Sequence, residues 1–138
     1  MAADGIFDHT LQVLDKALDL RSQKLQVISS NIANAETPGY ARLRMDFESA
    51  LREAVAGSES GQVTTHPNHM PAGSADGLGS VQARFYREMD QSGIGDRNTV
   101  SLDQEMVDLS ENQIRYEAAI KMLSKKFNML KMVISERA

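Results

Sequence analysis

The sequence contains no cysteine and no tryptophan, and aromatic residues make up only 5% of it. Without cysteine, disulfide chemistry gives no sign of the redox compartment. So few aromatics argue against a large compact core as the main design, although the hydrophobic share, 41%, is ordinary. No stretch approaches the roughly 20 apolar residues that a membrane span requires. The first ten residues hold Asp4 and Asp8 and lack both a basic start and an apolar run, so an ordinary cleavable secretory signal is not expected. The net charge of −4 argues against a sequence-independent nucleic-acid binder, which needs a basic surface. The 138 residues suit one domain, and the expected molecule is soluble, elongated and helical.

What is present is periodicity. Leu102, Met106, Leu109, Gln113, Tyr116, Ile120, Leu123, Phe127, Leu130 and Ile134 recur in an unbroken 4-3 spacing, with no Gly or Pro among the residues between them. Such a repeat lines one face of an α-helix and no face of a strand. At 1.5 Å per residue it would make a rod of about 50 Å. Ser101 and Gln104 fit a capping box at its start. Acidic Asp103, Glu105, Asp108, Glu111 and Glu117 gather in its first half, and basic Lys121, Lys125, Lys126, Lys131 and Arg137 in its second. Both biases suit the helix dipole, and both also suit a solvated face.

A matching seam opens the chain at Phe7, Leu11, Leu14, Leu18, Arg21, Leu25, Ile28 and Ile32, on a helix expected to start near Phe7. Each helix carries a second apolar row: Ile6, Val13, Ala17, Leu20 and Val27 on the first, and Val107, Ile114, Met122, Met129 and Val133 on the last. A two-stranded coiled coil needs only the narrow seam. A wider apolar arc asks for neighbours on more than one side. If the helices lie antiparallel with Ile32 level with Leu102, Arg21 falls opposite Gln113. That pair either fixes the register or leaves Arg21 reaching to water with Gln113 at a loose spot.

The first helix should stop between Ile32 and Glu36, because Thr37 precedes Pro38. Pro38-Gly39 fits the centre of a type II turn, and Asn34 and Thr37 can bond the free backbone groups at the helix exit. Tyr40 opens an extended piece in which Leu43, Met45 and Phe47 alternate with Arg42 and Arg44. The run Ser29-Ser30-Asn31-Ile32-Ala33-Asn34-Ala35-Glu36-Thr37-Pro38-Gly39-Tyr40 resembles the N-terminal signature of flagellar basal-body rod, hook and hook-associated proteins. Within it, Ser30, Asn31, Ala33, Asn34, Thr37, Pro38, Gly39 and Tyr40 match the rod-family motif. The later run from Asn98 to Met106, followed by Ile114-Arg115-Tyr116, is similar to the proximal rod proteins of that family. A sister group of proximal rod proteins carries a different run in place of Thr37-Pro38-Gly39-Tyr40. The resemblance spans roughly residues 5–55 and 95–135.

Between the helices, a short helix should begin at Asp46 or Ser49 and run through Ala56. Glu48 and Arg52 form an i,i+4 pair on it. Phe47 and Leu51 match an apolar patch that, by the family resemblance, the export gate recognises; a Phe–Leu helix pair is also common without that role. Residues 57–80 are dominated by Gly, Ser, Thr, Asn, Asp and Pro and cannot bury enough surface to offset their ordering entropy, so a flexible loop is expected. Val81, Ala83 and Phe85 alternate as a short strand that can pair with residues 40–47, and Ser92 to Asp96 read as a turn. The resulting division is an N-terminal assembly helix over 1–36, a middle of turn, short extended segments and loop over 37–99, and a C-terminal assembly helix over 100–138. The fold class is mainly α, with the terminal helices packed antiparallel as a coiled-coil-like pair.

Chemistry is hard to find. His66 and His69 have no Cys or carboxylate close by to complete a metal set. Gly73, Gly77 and Gly79 lack the strand and helix that flank a phosphate loop, and His9 has no nucleophile context. No enzyme, cofactor, metal or small-molecule substrate is expected. Two readings remain: a structural subunit polymerising through its terminal helices, or a cytoplasmic helical adaptor or export chaperone that binds a partner helix. The resemblance favours the first. It implies torque transmission by the rod across the periplasm, type III export without a cleaved signal, and neighbours that include this protein itself, other rod proteins, and the adaptor joining rod to ring and export gate.

Overall fold

The structure, a computed structural model, describes residues 2–59, 78–90 and 95–135, with side chains from His9 onward and not those of 57–59. The chain runs α1 (Ala2–Ala33), β1 (Arg42–Asp46), α2 (Glu48–Glu59), β2 (Arg84–Glu88) and α3 (Leu102–Ser135). It is mainly helical, and the two long terminal helices pack on each other. Their sense is antiparallel: Asn31, near the end of α1, bonds Glu105 near the start of α3, while Arg21 bonds Asn112 further along. α1 begins ahead of Phe7, whose side chain lies outside the described residues, as do residues 60–77 with their histidines and most of the expected loop.

The two helices use their apolar arcs differently from each other. On α1 the buried positions come from both rows: Leu20 and Val27 of the second row, with Ile28 of the seam and Asn31. Leu11, Leu14, Leu18, Arg21 and Ile32 are half-buried, and Leu25 is exposed. On α3 the buried positions are Glu105, Asn112 and Ala119, a heptad row one step round from the expected seam. Leu109, Tyr116, Leu123 and Leu130 flank that row half-buried, whereas Leu102, Met106, Gln113, Ile120, Phe127 and Ile134 are exposed. The register expectation is thus off by one position: Arg21 meets Asn112, not Gln113, which donates to Glu117 instead. The physical reason is that Glu105 and Asn112 find polar partners inside the chain, which offsets the cost of burying them.

β1 and β2 form a two-stranded sheet. The chain divides into two compact units, one of residues Met1–Met45 with Phe85–Ala138 and the other of Asp46–Arg84. The second holds α2, started by Asp46, whose carboxylate accepts from the Glu48 amide at 3.3 Å, and continued past Ala56 to Glu59. Its buried side chains among the described residues are Phe47 and Val81. No helix among the described residues is long and apolar enough to cross a membrane.

Candidate assembly site

The motif segment is built outward from the exit of α1. A helix end leaves carbonyls without partners, and here side chains supply them. Asn34 returns its amide to the Ser30 carbonyl at 2.8 Å, and Thr37 Oγ1 donates to Asn34 Oδ1. The Asn98 amide, from the far side of the sequence, lies 2.8–3.0 Å from the carbonyls of Asn34, Ala35 and Thr37. The Tyr40 amide closes the turn on Thr37 at 3.2 Å, with Gly39 at φ 73° in the second central place, as a type II turn demands.

Gly39→Ala isolates that conformational demand, since a Cβ there meets nothing within 4 Å. The left-handed backbone should cost the variant about 1–2 kcal/mol. Native-state hydrogen exchange should show it as faster opening at the Tyr40 and Thr99 amides, which bond Thr37 and Tyr40 carbonyls. Unchanged exchange there would show that the turn does not depend on glycine.

Beyond the turn, residues 96–99 run beside 39–42. The Gly39 amide bonds the Asp96 carbonyl at 2.7 Å and the Thr99 amide bonds the Tyr40 carbonyl. Thr99 Oγ1 accepts from the Arg42 amide and donates to the Glu88 carbonyl, at 2.8 and 2.7 Å. This stitching joins the exit of α1, the start of β1, the end of β2 and the approach to α3.

At the centre lies a buried polar cluster. Asn31 is 1% exposed and uses its whole bonding capacity. Its amide donates to the Leu43 carbonyl at 2.8 Å and to Glu105 Oε2 at 3.2 Å. Its oxygen accepts from the Leu43 amide at 3.0 Å and from the Tyr40 hydroxyl. A side chain thereby acts on Leu43 as a neighbouring strand would. Arg42 donates through Nε to Glu105 Oε1 and through Nη2 to Asp108 Oδ2, with Glu88 3.7 Å from its remaining nitrogen. Glu105 is fully enclosed. Arg87 sits over the Tyr40 ring, 5.9 Å from its centroid, and donates to the Ala41 carbonyl.

Of the motif residues singled out in the sequence, Ser30, Asn31, Asn34, Thr37, Gly39 and Tyr40 all bond into this junction. Ala33 and Pro38 are exposed. Arg42, Glu105 and Asp108 were missed as a set, because Arg42 reads as the polar member of an alternating strand and Glu105 as a helix-start acid. Asp103 does fit the latter role, being exposed in the first turn. Gln104 does not close the capping box; its amide reaches forward to Asp108 at 2.9 Å. Phe47 is buried and Leu51 half-buried, and the Leu51 amide bonds the Phe47 carbonyl.

The second feature of the site is what α3 leaves uncovered. Leu102, Met106, Ile120, Phe127 and Ile134 form one exposed apolar flank. Val107, Ile114, Met122 and Met129 are exposed too and by helical spacing fall on the other side of the ridge that faces α1, while the exposed Val133 continues the heptad row of Glu105, Asn112 and Ala119. Among the described residues α1 exposes a single large apolar side chain, Leu25. Apolar stripes of this length mark interaction surfaces, and a helix with two of them has room for neighbours on both sides of its partner.

A family profile described as flagella basal body rod protein matches residues 11–40, and one described as flagellar basal body rod FlgEFG protein C-terminal matches residues 97–136. Asn31 and Tyr40 of the junction lie within the first match, and Asn98 and Glu105 within the second. The chain is 33% identical over 131 residues to the flagellar basal body rod protein FlgB of Bacillus subtilis (strain 168), covering 95% of this chain and 97% of that one. It is 35% identical over 122 residues to FlgB of Aeromonas hydrophila, covering 88% and 89%. With FlgB of Escherichia coli (strain K12) it shares 35% over 123 residues, covering 85% and 86%.

Proposed function

Since this chain belongs to the FlgB family of flagellar basal-body rod proteins, we propose that it polymerises through α1 and α3 into the proximal part of the rod and there transmits torque. The observation that carries this reading is the pair of exposed apolar flanks on α3. A Leu, Ile, Met or Phe side chain contributes roughly 1.5–3 kcal/mol when fully buried, so packing against neighbours has a large apolar surface to gain. The polar junction gives each subunit a fixed geometry in which to present it. Stiffness of the packed helices then carries the load without turnover.

Export by the flagellar type III route belongs to the same proposal. Phe47 and Leu51 serve the export gate in the unfolded chain, because folding buries Phe47. Assembly and folding are coupled at the helix ends, where neighbours complete what the lone subunit leaves wet. The neighbours are copies of this protein, other rod proteins, and at the base the adaptor that joins the rod to the inner-membrane ring and export gate.

Cell fractionation tests the reading against the adaptor or chaperone alternative, which would use the same apolar surfaces. The protein should co-purify with detergent-extracted basal bodies and remain after a high-salt wash. Recovery wholly in the cytosol, bound to an export substrate, would overturn it.

A further inference from the structure

On the rod reading, we infer that the methionines of α3 are a modification site: hydrogen peroxide converts their thioethers to sulfoxides in the free subunit, and a subunit so marked is kept out of the rod. The chain has no cysteine and no tryptophan. No thiol or indole competes for the oxidant, which leaves the thioether as its most readily oxidised side chain. Four of the eight methionines lie on α3. Met106, Met122, Met129 and Met132 are 50%, 58%, 44% and 63% exposed, so a small oxidant in solution reaches all of them. Met106 belongs to one uncovered flank, and Met122 and Met129 to the other. Met132, three residues beyond Met129, shares the side of Met129. Two further methionines serve as references within the same chain. Met45 of β1 is 6% exposed, and Met89, just past the end of β2, is 70% exposed but lies off α3.

The step transfers one oxygen atom. A sulfur lone pair attacks the peroxide, the O–O bond breaks, the S–O bond forms and water leaves. Sulfur is oxidised as the peroxide oxygen is reduced. A flexible apolar side chain thereby becomes a polar one. In the free subunit water solvates the new oxygen, so the fold is left alone. Covered by a neighbour, that oxygen is an acceptor among side chains such as Leu102, Ile114, Ile120 and Phe127, none of which carries a donor. Burying an acceptor without a donor is costly, and the mark therefore acts on assembly. It is also reversible. A thiol-dependent sulfoxide reductase returns the thioether and water while two thiols become a disulfide.

The chemistry is tested on the purified full chain. After a brief hydrogen peroxide treatment quenched with catalase, peptide mass spectrometry should find the α3 methionines oxidised about as fast as Met89 and at least tenfold faster than Met45. Rates on α3 as slow as that of Met45 would overturn the inference. The consequence is tested by competition inside one cell. Wild type is made together with a variant carrying Met106→Leu, Met122→Leu, Met129→Leu and Met132→Leu, swaps that keep side-chain volume. Their distinct peptides are counted in basal bodies from cells lacking sulfoxide reductases. Without peroxide the two should appear in the ratio of their cellular levels. After sublethal peroxide the wild-type share should fall at least tenfold, and damage to other components affects both chains alike. A Met89→Leu competitor should gain no such advantage. An unchanged wild-type share, with α3 sulfoxide present in the unassembled pool, would overturn the inference, and so would an equal gain by Met89→Leu. If the fourfold variant fails to assemble, the wild-type copies decide. Those assembled after a peroxide pulse should carry at least tenfold less sulfoxide on α3 than the unassembled pool, with equal sulfoxide at Met89; equal α3 sulfoxide in both would overturn the inference. Wild type absent from basal bodies without peroxide defeats the rod reading itself.

Discussion

Glu105→Ala should release the first turns of α3 from β1. The substitution removes both oxygens that Arg42 Nε and the Asn31 amide use, leaving the guanidinium of Arg42, a residue 7% exposed, with Asp108 and the more distant Glu88 as its carboxylate neighbours. Breaking a buried pair on one side costs about 3–5 kcal/mol, mostly because the other charge stays buried. Hydrogen exchange should report the loss at the Leu43 amide and through the first turns of α3, while the middle of the α1–α3 pair keeps its protection. The paired replacement Arg42→Met with Glu105→Met should recover part of the loss, because it removes the stranded guanidinium while the Asn31 amide still lacks its Glu105 acceptor and Asp108 its cation. Equal exchange in the wild type and Glu105→Ala would mean that the cluster does not hold the junction together.

The second large effect is on assembly. Phe127 is 55% exposed, so Phe127→Asp should change the stability of the lone subunit by no more than about 0.5 kcal/mol. In the rod the same side chain would bury its ring against a neighbour, and a carboxylate there loses that burial and also loses solvation. Incorporation should fall by at least a hundredfold, about 2.8 kcal/mol at 1.4 per decade, with motility lost and cellular protein level unchanged. Leu123→Asp, at a half-buried position of the α1-facing side, should also block assembly but with lowered helix protection in the free subunit. Normal rods from Phe127→Asp would remove that flank from the interface.

The long helices were legible because an apolar 4-3 repeat has one structural meaning, and the turn was legible because Pro38-Gly39 permits so few backbones. Gly39 at φ 73° and the Asn34 cap follow directly from that local chemistry. That β1 pairs with a strand from the region of residues 81–85 was readable, but not where the strand lies: β2 runs over Arg84–Glu88 and is exposed throughout, so of the alternating Val81, Ala83 and Phe85 only Phe85 is on it. Which edge of each apolar arc faces inward was not legible. Periodicity locates a stripe, but α1 buries Leu20 and Val27 from its second row, and α3 buries Glu105 and Asn112 from no apolar row at all. Those choices depend on partners remote in sequence: Arg42 for Glu105 and the backbone and side chain of Arg21 for Asn112. A charged residue next to a helical seam looks solvated until the opposite charge is known to be folded beside it. The family signature pointed to Asn31 and Tyr40 without saying what they do. The structure gives the reason: Asn31 supplies to Leu43 the two backbone bonds that a third strand would otherwise provide.

The central claim is that the flanks of α3 are open in the free subunit and covered in the rod. Single cysteines at Ile114 and Phe127, one on each flank, can be labelled with a maleimide in purified subunits and in isolated basal bodies. Rapid labelling of both positions in the free subunit, with labelling of both slowed at least tenfold in basal bodies, is the predicted result. Equal labelling rates in the two preparations, at either position, would contradict the account.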